Sequence, residues 1–144
     1  MRTLMAGTLL VLYLASTSLT PTRAQQPSPA ADRACGASGT PFTRTTMYFG
    51  LTKPIGVISE NQWQTFLRDK VTPRFPDGLT VWEANGQWRG SNGKINRERA
   101  KVLLLVHTEA ADVRAAIMSI IAEYKHDFQQ ESVLWETAPV CAAF

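Results

Sequence analysis

The stretch Val71-Thr-Pro-Arg-Phe-Pro-Asp-Gly-Leu-Thr-Val-Trp-Glu-Ala-Asn-Gly-Gln-Trp-Arg89 joins a two-proline loop to a strand carrying two tryptophans. Proline fixes φ, aspartate can bond its own backbone and glycine takes positive φ, so residues 74–78 read as a turn. Leu79 to Ala84 alternates around β-branched and aromatic residues, the pattern of a strand. Asn85-Gly86 carries a hairpin signal, but Ser91-Asn92-Gly93 offers a second turn just after it. The preferred reading is one long strand, Leu79 to Arg89, kinked by a bulge at Asn85-Gly86 and turning at Ser91 to Gly93. The alternative is a tight hairpin at Asn85-Gly86, with residues 87–90 as a small extra strand.

Ahead of this stretch, Thr43 to Phe49 is rich in threonine and aromatic residues and reads as a strand stopped by Gly50. Lys53 to Gly56 makes a turn. Ser59 with Gln62 three positions on forms a capping box that opens a helix. Trp63, Phe66, Leu67 and Lys70/Val71 recur at helical spacing, and Pro73 ends the helix. After the stretch, a strand is expected from Arg99 to His107. Its centre, Val102 to Val106, is apolar on both faces, as in a covered central strand. Thr108 is placed to cap a helix over Glu109 to Asp127, with Asp112 in the first turn, where acids suit the helix dipole. Val113, Ile117, Ile120, Tyr124 and Phe128 form its stripe. Ser132 to Ala138 is the last strand.

The order β-α-β-β-α-β is that of the ferredoxin-like fold, a four-stranded antiparallel sheet with both helices on one face and the first and third strands central. The other face is expected to carry Leu103, Leu105 and Trp82 or Trp135. So much apolar surface rarely stays in water, so a homodimer through this open face is expected, unless a ligand or the N-terminal arm covers it.

The first 24 residues have the form of a secretory signal peptide. Arg2 precedes an apolar core from Leu4 to Leu14, and Thr22-Arg23-Ala24 ends in a cleavable pattern. The run is too short for a bilayer, which takes about 20 residues. The mature chain is therefore expected to be exported, periplasmic or secreted, with no membrane anchor after cleavage. Residues 25–41, rich in Pro, Ala, Ser and Gly, read as a flexible arm, and residues 42–144 as one α+β domain. Without Arg2 and Arg23 the 15 Lys and Arg fall to 13 against 12 Asp and Glu. With no basic cluster, nucleic-acid binding is not expected. Two cysteines in an oxidising compartment imply one bridge, Cys35 to Cys141. The topology agrees, because the start of the first strand lies beside the end of the last.

Met47-Tyr-Phe-Gly50, Val71 to Val81, Gly86-Gln-Trp-Arg89, Arg97-Glu98 with Lys101, and Phe128 to Val133 together resemble a family of small exported bacterial proteins known only as a domain of unknown function. The resemblance covers roughly Phe42 to Val140. It implies that the central loop and the Gly-Gln-Trp-Arg turn matter, and it brings no chemistry with it.

The residues themselves narrow the chemistry. No metal site and no cofactor are expected, since His107 and His126 lack ligand spacing and both cysteines have a better use. No serine sits in a nucleophile elbow, and no glycine-rich loop leads a strand into a helix. A polar set remains, Tyr48, Glu83, Gln87, Arg89, Glu98 and Lys101, which the fold gathers near one end of the sheet. Tyr48, Gln87, Trp88, Arg89, Glu98 and Lys101 are the ligand-binding candidates. Arg89 is suited to clamp a carboxylate and Trp88 to stack, while Tyr48 or Glu98 becomes an acid or base if burial moves its pKa. The plainer reading is an Arg89–Glu98 ion pair across the hairpin. Arg74 and Asp77, at the opposite end, read as a brace holding the loop. Three functional classes fit: a non-catalytic module that binds a small molecule or protein, a small enzyme of the dimeric α+β barrel kind acting on a small molecule, anions included, and a protease-inhibitor or propeptide-like module using Ala142-Ala143-Phe144.

Overall fold

Strand β1 runs from Thr40 to Gly50 and forms the spine of the sheet, paired antiparallel with a strand on each side. The computed structural model describes residues 35–36 and 39–144. The expected leader and most of the expected arm lie outside the described residues. Helix α1 spans Glu60–Phe66 and opens with the capping box read from the sequence: Ser59 Oγ accepts from Gln62 N at 3.2 Å, and Gln62 Oε1 accepts from Ser59 N at 3.0 Å. The chain then widens into a π-helical turn, Leu67–Val71, where Thr72 N donates to Leu67 O, and stops at Pro73.

Strands β2, Thr80–Arg89, and β3, Ile95–His107, form a hairpin closed around Ser91–Gly93. Their pairing is unbroken from Thr80 opposite Leu104 to Arg89 opposite Ile95. There is accordingly no bulge at Asn85-Gly86 and no turn there. Gly86 stays in extended register because its strand neighbours already pair on both sides. Helix α2, Ala111–Phe128, begins after an extended Ala110 with no side-chain cap. Thr108 does not cap it: the helix starts three residues later, and the Thr108 carbonyl is hydrogen-bonded to His107 Nδ1. Gln129, left-handed at φ 55°, ends the helix and turns the chain toward β4, Leu134–Ala142.

The sheet order is β2-β3-β1-β4, so the first and third strands are central and the fold is α+β and ferredoxin-like. Directly opposed residues share a face, which sorts the sheet cleanly. Met47, Phe49, Leu103 and Leu105 point to the helices and are buried with Trp63, Phe66, Ile117, Ile120 and Tyr124. Leu103 and Leu105 therefore lie in the main core and not on the open face. Trp135, opposite Met47, shares their side and takes Arg114 over its ring at 5.7 Å. The open face carries Trp82, Val102, Leu104, Tyr48 and Leu134 instead. An apolar run covered on both sides gives no clue to which parity faces the helices, and the expectation that put Leu103 and Leu105 on the open face took the wrong one.

Cys35 and Cys141 form a disulfide with Cα atoms 5.5 Å apart. Cys141 lies within β4, opposite Pro41, so the bridge ties the segment before β1 to the outer strand. It closes a loop of about a hundred residues, for which chain entropy allows at most about 4–5 kcal/mol. Replacing both cysteines by serine should lower the stability measured in urea by about 2–4 kcal/mol. A loss under about 0.5 kcal/mol would show that the sheet alone holds this edge.

Candidate functional site

The β2–β3 hairpin runs past the end of β1, whose pairing with β3 stops at Gly50 opposite Ala100. The chain leaving α2 crosses near this overhang, and between them is a hollow of about 320 Å³ on the open face. Tyr48, Trp88 and Leu134 wall it, Ala84 to Gln87 and Ala100 line the hairpin side, and Gln130 to Ser132 line the other. The volume falls in the range of small-molecule sites.

Glu98 organises the hollow. Its Oε1 accepts from Trp88 Nε1 at 2.7 Å and its Oε2 accepts from Thr52 N at 2.9 Å. This is possible because Gly50 has no side chain: a Cβ there would lie 2.6 Å from Glu98 Oε1. The indole of Trp88 is thereby fixed. Gln130 Nε2 donates to Thr52 O at 2.7 Å, and Glu131 accepts from Ser91 N and Oγ, so the hairpin and the segment after α2 are laced together. Tyr48 donates to Glu136 Oε1 at 3.3 Å. Desolvation, with the charge and hydrogen bond of Glu136, pushes the Tyr48 phenol up, against a smaller opposing effect of Arg44. It stays a protonated donor.

Of the residues singled out in the sequence, Tyr48, Gln87, Trp88 and Glu98 line the hollow, and Arg89 and Lys101 do not. Arg89 opposes Ile95 at the hairpin tip, so the expected Arg89–Glu98 pair does not form. Lys101 points to the helix side, only 7% exposed, with Glu60 at 2.7 Å and Glu83 at 2.9 Å. Arg74 does not brace Asp77 but reaches Glu123 on α2 at 2.6 Å and the Lys70 carbonyl at 2.6 Å. The loop around it rims a second, larger hollow of about 600 Å³ between Phe42, Phe75, Leu104, Val106 and Phe144. That hollow is also lined by Asp77, Thr80, His107 and Thr108, but its Arg74 is engaged by Glu123 and its His107 by Thr45 and the Thr108 carbonyl.

Sequence reasoning missed Gln130, Glu131, Ser132 and Leu134. The only signal for the first three was their presence in the stretch Phe128 to Val133, and Leu134 lies just beyond it. The hollow contains no Lys, Arg or His, and its charges are Glu98 and Glu131. Among the described residues no group of three His, Cys, Asp or Glu could hold a metal ion, and no helix is long and apolar enough to cross a membrane.

Fold and site together define a small ferredoxin-like protein with a carboxylate-edged aromatic hollow on its open face. Residues 44–144 match the family described as "Protein of unknown function (DUF3574)", and the chain belongs to it. No curated protein matches the sequence. Among solved structures the fold is similar to a phage SAM lyase in complex with S-methyl-5'-thioadenosine, at 14% identity and TM-score 0.55, covering 70% of this chain and 90% of the lyase. It is also similar to the phage SAM lyase in its apo state, at 13% identity and TM-score 0.52, covering 72% and 92%. At these identities the likeness is one of fold.

The Glu60–Lys101–Glu83 cluster carries a pH signature. Hydrogen bonds from Gln64 and Lys101 hold Glu60 below the usual carboxylate range, and hydrogen bonds from Lys101 and Arg99 do the same for Glu83. Burial pulls the Lys101 ammonium down, but the bonds and charges of Glu60 and Glu83 outweigh it and leave its pKa raised. A lowered acid contributes stability above its unfolded pKa and loses it as pH falls through the folded one. Raised Lys101 contributes below about pH 10.4 and loses its share as pH climbs through its folded pKa. Between pH 5 and 3, urea denaturation should therefore show wild type losing more stability than Lys101→Met. Equal slopes would mean the cluster adds nothing.

Proposed function

We propose that the protein is an exported, non-catalytic binding module whose ligand is a small molecule with a flat ring, neutral or cationic, seated against Trp88. One observation carries this reading: an indole locked by Glu98 walls a hollow edged by two carboxylates and lined by no cationic side chain. A cation over an indole gains about 0.5–2 kcal/mol, whereas an anion beside Glu98 and Glu131 would be repelled. The anionic ligand expected from Arg89 is thus disfavoured, because that guanidinium stands outside the hollow. S-methyl-5'-thioadenosine, held by the phage SAM lyase of similar fold, is a flat-ringed molecule of this class and a reasonable first probe.

Binding is favoured over catalysis on local grounds. Both Glu98 oxygens already accept hydrogen bonds, and Tyr48 is held protonated, so neither is a ready base. An inhibitor-like use of Ala142-Ala143-Phe144 is disfavoured because Ala142 is held in the sheet opposite Thr40. The disulfide suits an oxidising compartment outside the cytosol.

Equilibrium dialysis with S-methyl-5'-thioadenosine and with N-methylquinolinium tests the site. Trp88→Ala should weaken binding of the better probe roughly tenfold, the loss of about 1.4 kcal/mol of stacking, while Arg89→Ala leaves it within about twofold. Binding lost with Arg89→Ala and kept with Trp88→Ala would overturn the reading.

A further inference from the structure

Across the open face one straight row crosses all four strands: Trp82, Val102, Tyr48 and Leu134, each opposite the next. Its middle is closed, with Val102 only 1% exposed, while its two ends are not, with Trp82 at 43% and Leu134 at 66%. Leu134 walls the hollow described above, and Trp82 does not line it. Most of its lining, including Tyr48, Gly86, Trp88, Glu98 and Leu134, stands on the face away from the helices. We propose that a second copy of this chain packs on this face about a twofold axis parallel to the strands, so that the Trp82 of each copy roofs the hollow of the other.

Symmetry dictates that placement. Such an axis exchanges the two edges of the sheet while keeping each row level. The Trp82 edge of one copy then lies over the Leu134 edge of its partner, and the two rows stack. Two sheets pack face to face about 10 Å apart, the spacing that interleaved side chains of this size fill. Four strands about 4.8 Å apart and about nine residues long present a flat footprint of roughly 600 Å², of the order of the about 800 Å² per partner that a standard interface buries. Burying an indole and a leucine at each end of the row supplies the apolar drive, at about 25 cal/mol per Å² removed from water.

This inference rests on the binding role proposed for the Trp88 hollow, and complementation separates the two. Trp82→Ala and Trp88→Ala proteins are assayed by equilibrium dialysis with N-methylquinolinium, singly and as an equimolar mixture left to exchange subunits. Sedimentation is measured in parallel. The wild type should sediment as a dimer, and each variant alone should bind roughly tenfold more weakly. In the mixture half the dimers are mixed, and each mixed dimer holds one site with its own Trp88 and the other copy's Trp82. About a quarter of all sites should therefore regain wild-type affinity. A monomeric wild type that binds the probe through Trp88 would overturn the roof and leave the hollow standing. A dimeric wild type that binds no probe would overturn the hollow and its roof together. Variants that never complement, or a Trp82→Ala protein that binds normally, would overturn the roof alone.

Discussion

The hydrogen bond from Tyr124 Oη to the Gly50 carbonyl, 2.8 Å long, joins the core to the site. On the core side Tyr124 sits within 4.6–6.2 Å of Phe49, Phe66, Phe128 and Trp63, ring centroid to centroid. On the other side Gly50 is the seat on which Glu98 rests. Burial and, to a lesser degree, the charge of Glu98 push the Tyr124 phenol far up, so it remains a donor. The bond nets only about 1 kcal/mol, against about 1.5–3 kcal/mol for burying each large apolar side chain. Burial of the rings holds the helix to the sheet. The bond fixes where β1 ends, and that position decides how far the β2–β3 hairpin overhangs and where Glu98 can reach Trp88.

The two faces of the sheet handle charge differently. On the helix side Lys101 is buried and shared by two exposed carboxylates. This is a costly arrangement if either partner is removed, and close to neutral when intact. On the open side Glu98 and Glu136 are satisfied by neutral donors, the indole, a backbone N–H and a phenol. Glu98, with Glu131, therefore leaves a negative charge at the edge of the hollow, and the proposed neutral or cationic guest rests on it.

Much of the architecture was legible in the sequence because it rests on local chemistry. The capping box of Ser59 and Gln62, the stop at Pro73 and the turn at Ser91 to Gly93 each have a mechanism confined to a few residues. The pairing of Cys35 with Cys141 followed from strand order. The site was legible only in part. Tyr48, Gln87, Trp88 and Glu98, read as ligand candidates, line the hollow, and Lys101 was grouped with them although it stands three residues from Glu98 on one strand and so on the opposite face. The side-chain period of two could have separated them. The runs Val102 to Val106 and Asn85-Gly86 were ambiguous for another reason: a fully covered strand shows no alternation, and a glycine within a pair of long strands does not have to turn. Gln130 and Glu131 reach the hollow through the left-handed Gln129, a tertiary path that no short window records.

The four indole N–H groups allow the most direct test, because they report from four environments. Trp63 is buried in the core with its Nε1 unpartnered. Trp135 lies under Arg114 on the helix side, Trp88 is bonded to Glu98, and Trp82 stands on the open face. In a ¹H–¹⁵N spectrum, adding N-methylquinolinium should shift the Trp88 and Trp82 indole resonances and leave those of Trp63 and Trp135 in place. Shifts confined to Trp135, or no shift at any indole at millimolar probe, would contradict a ligand site on the open face.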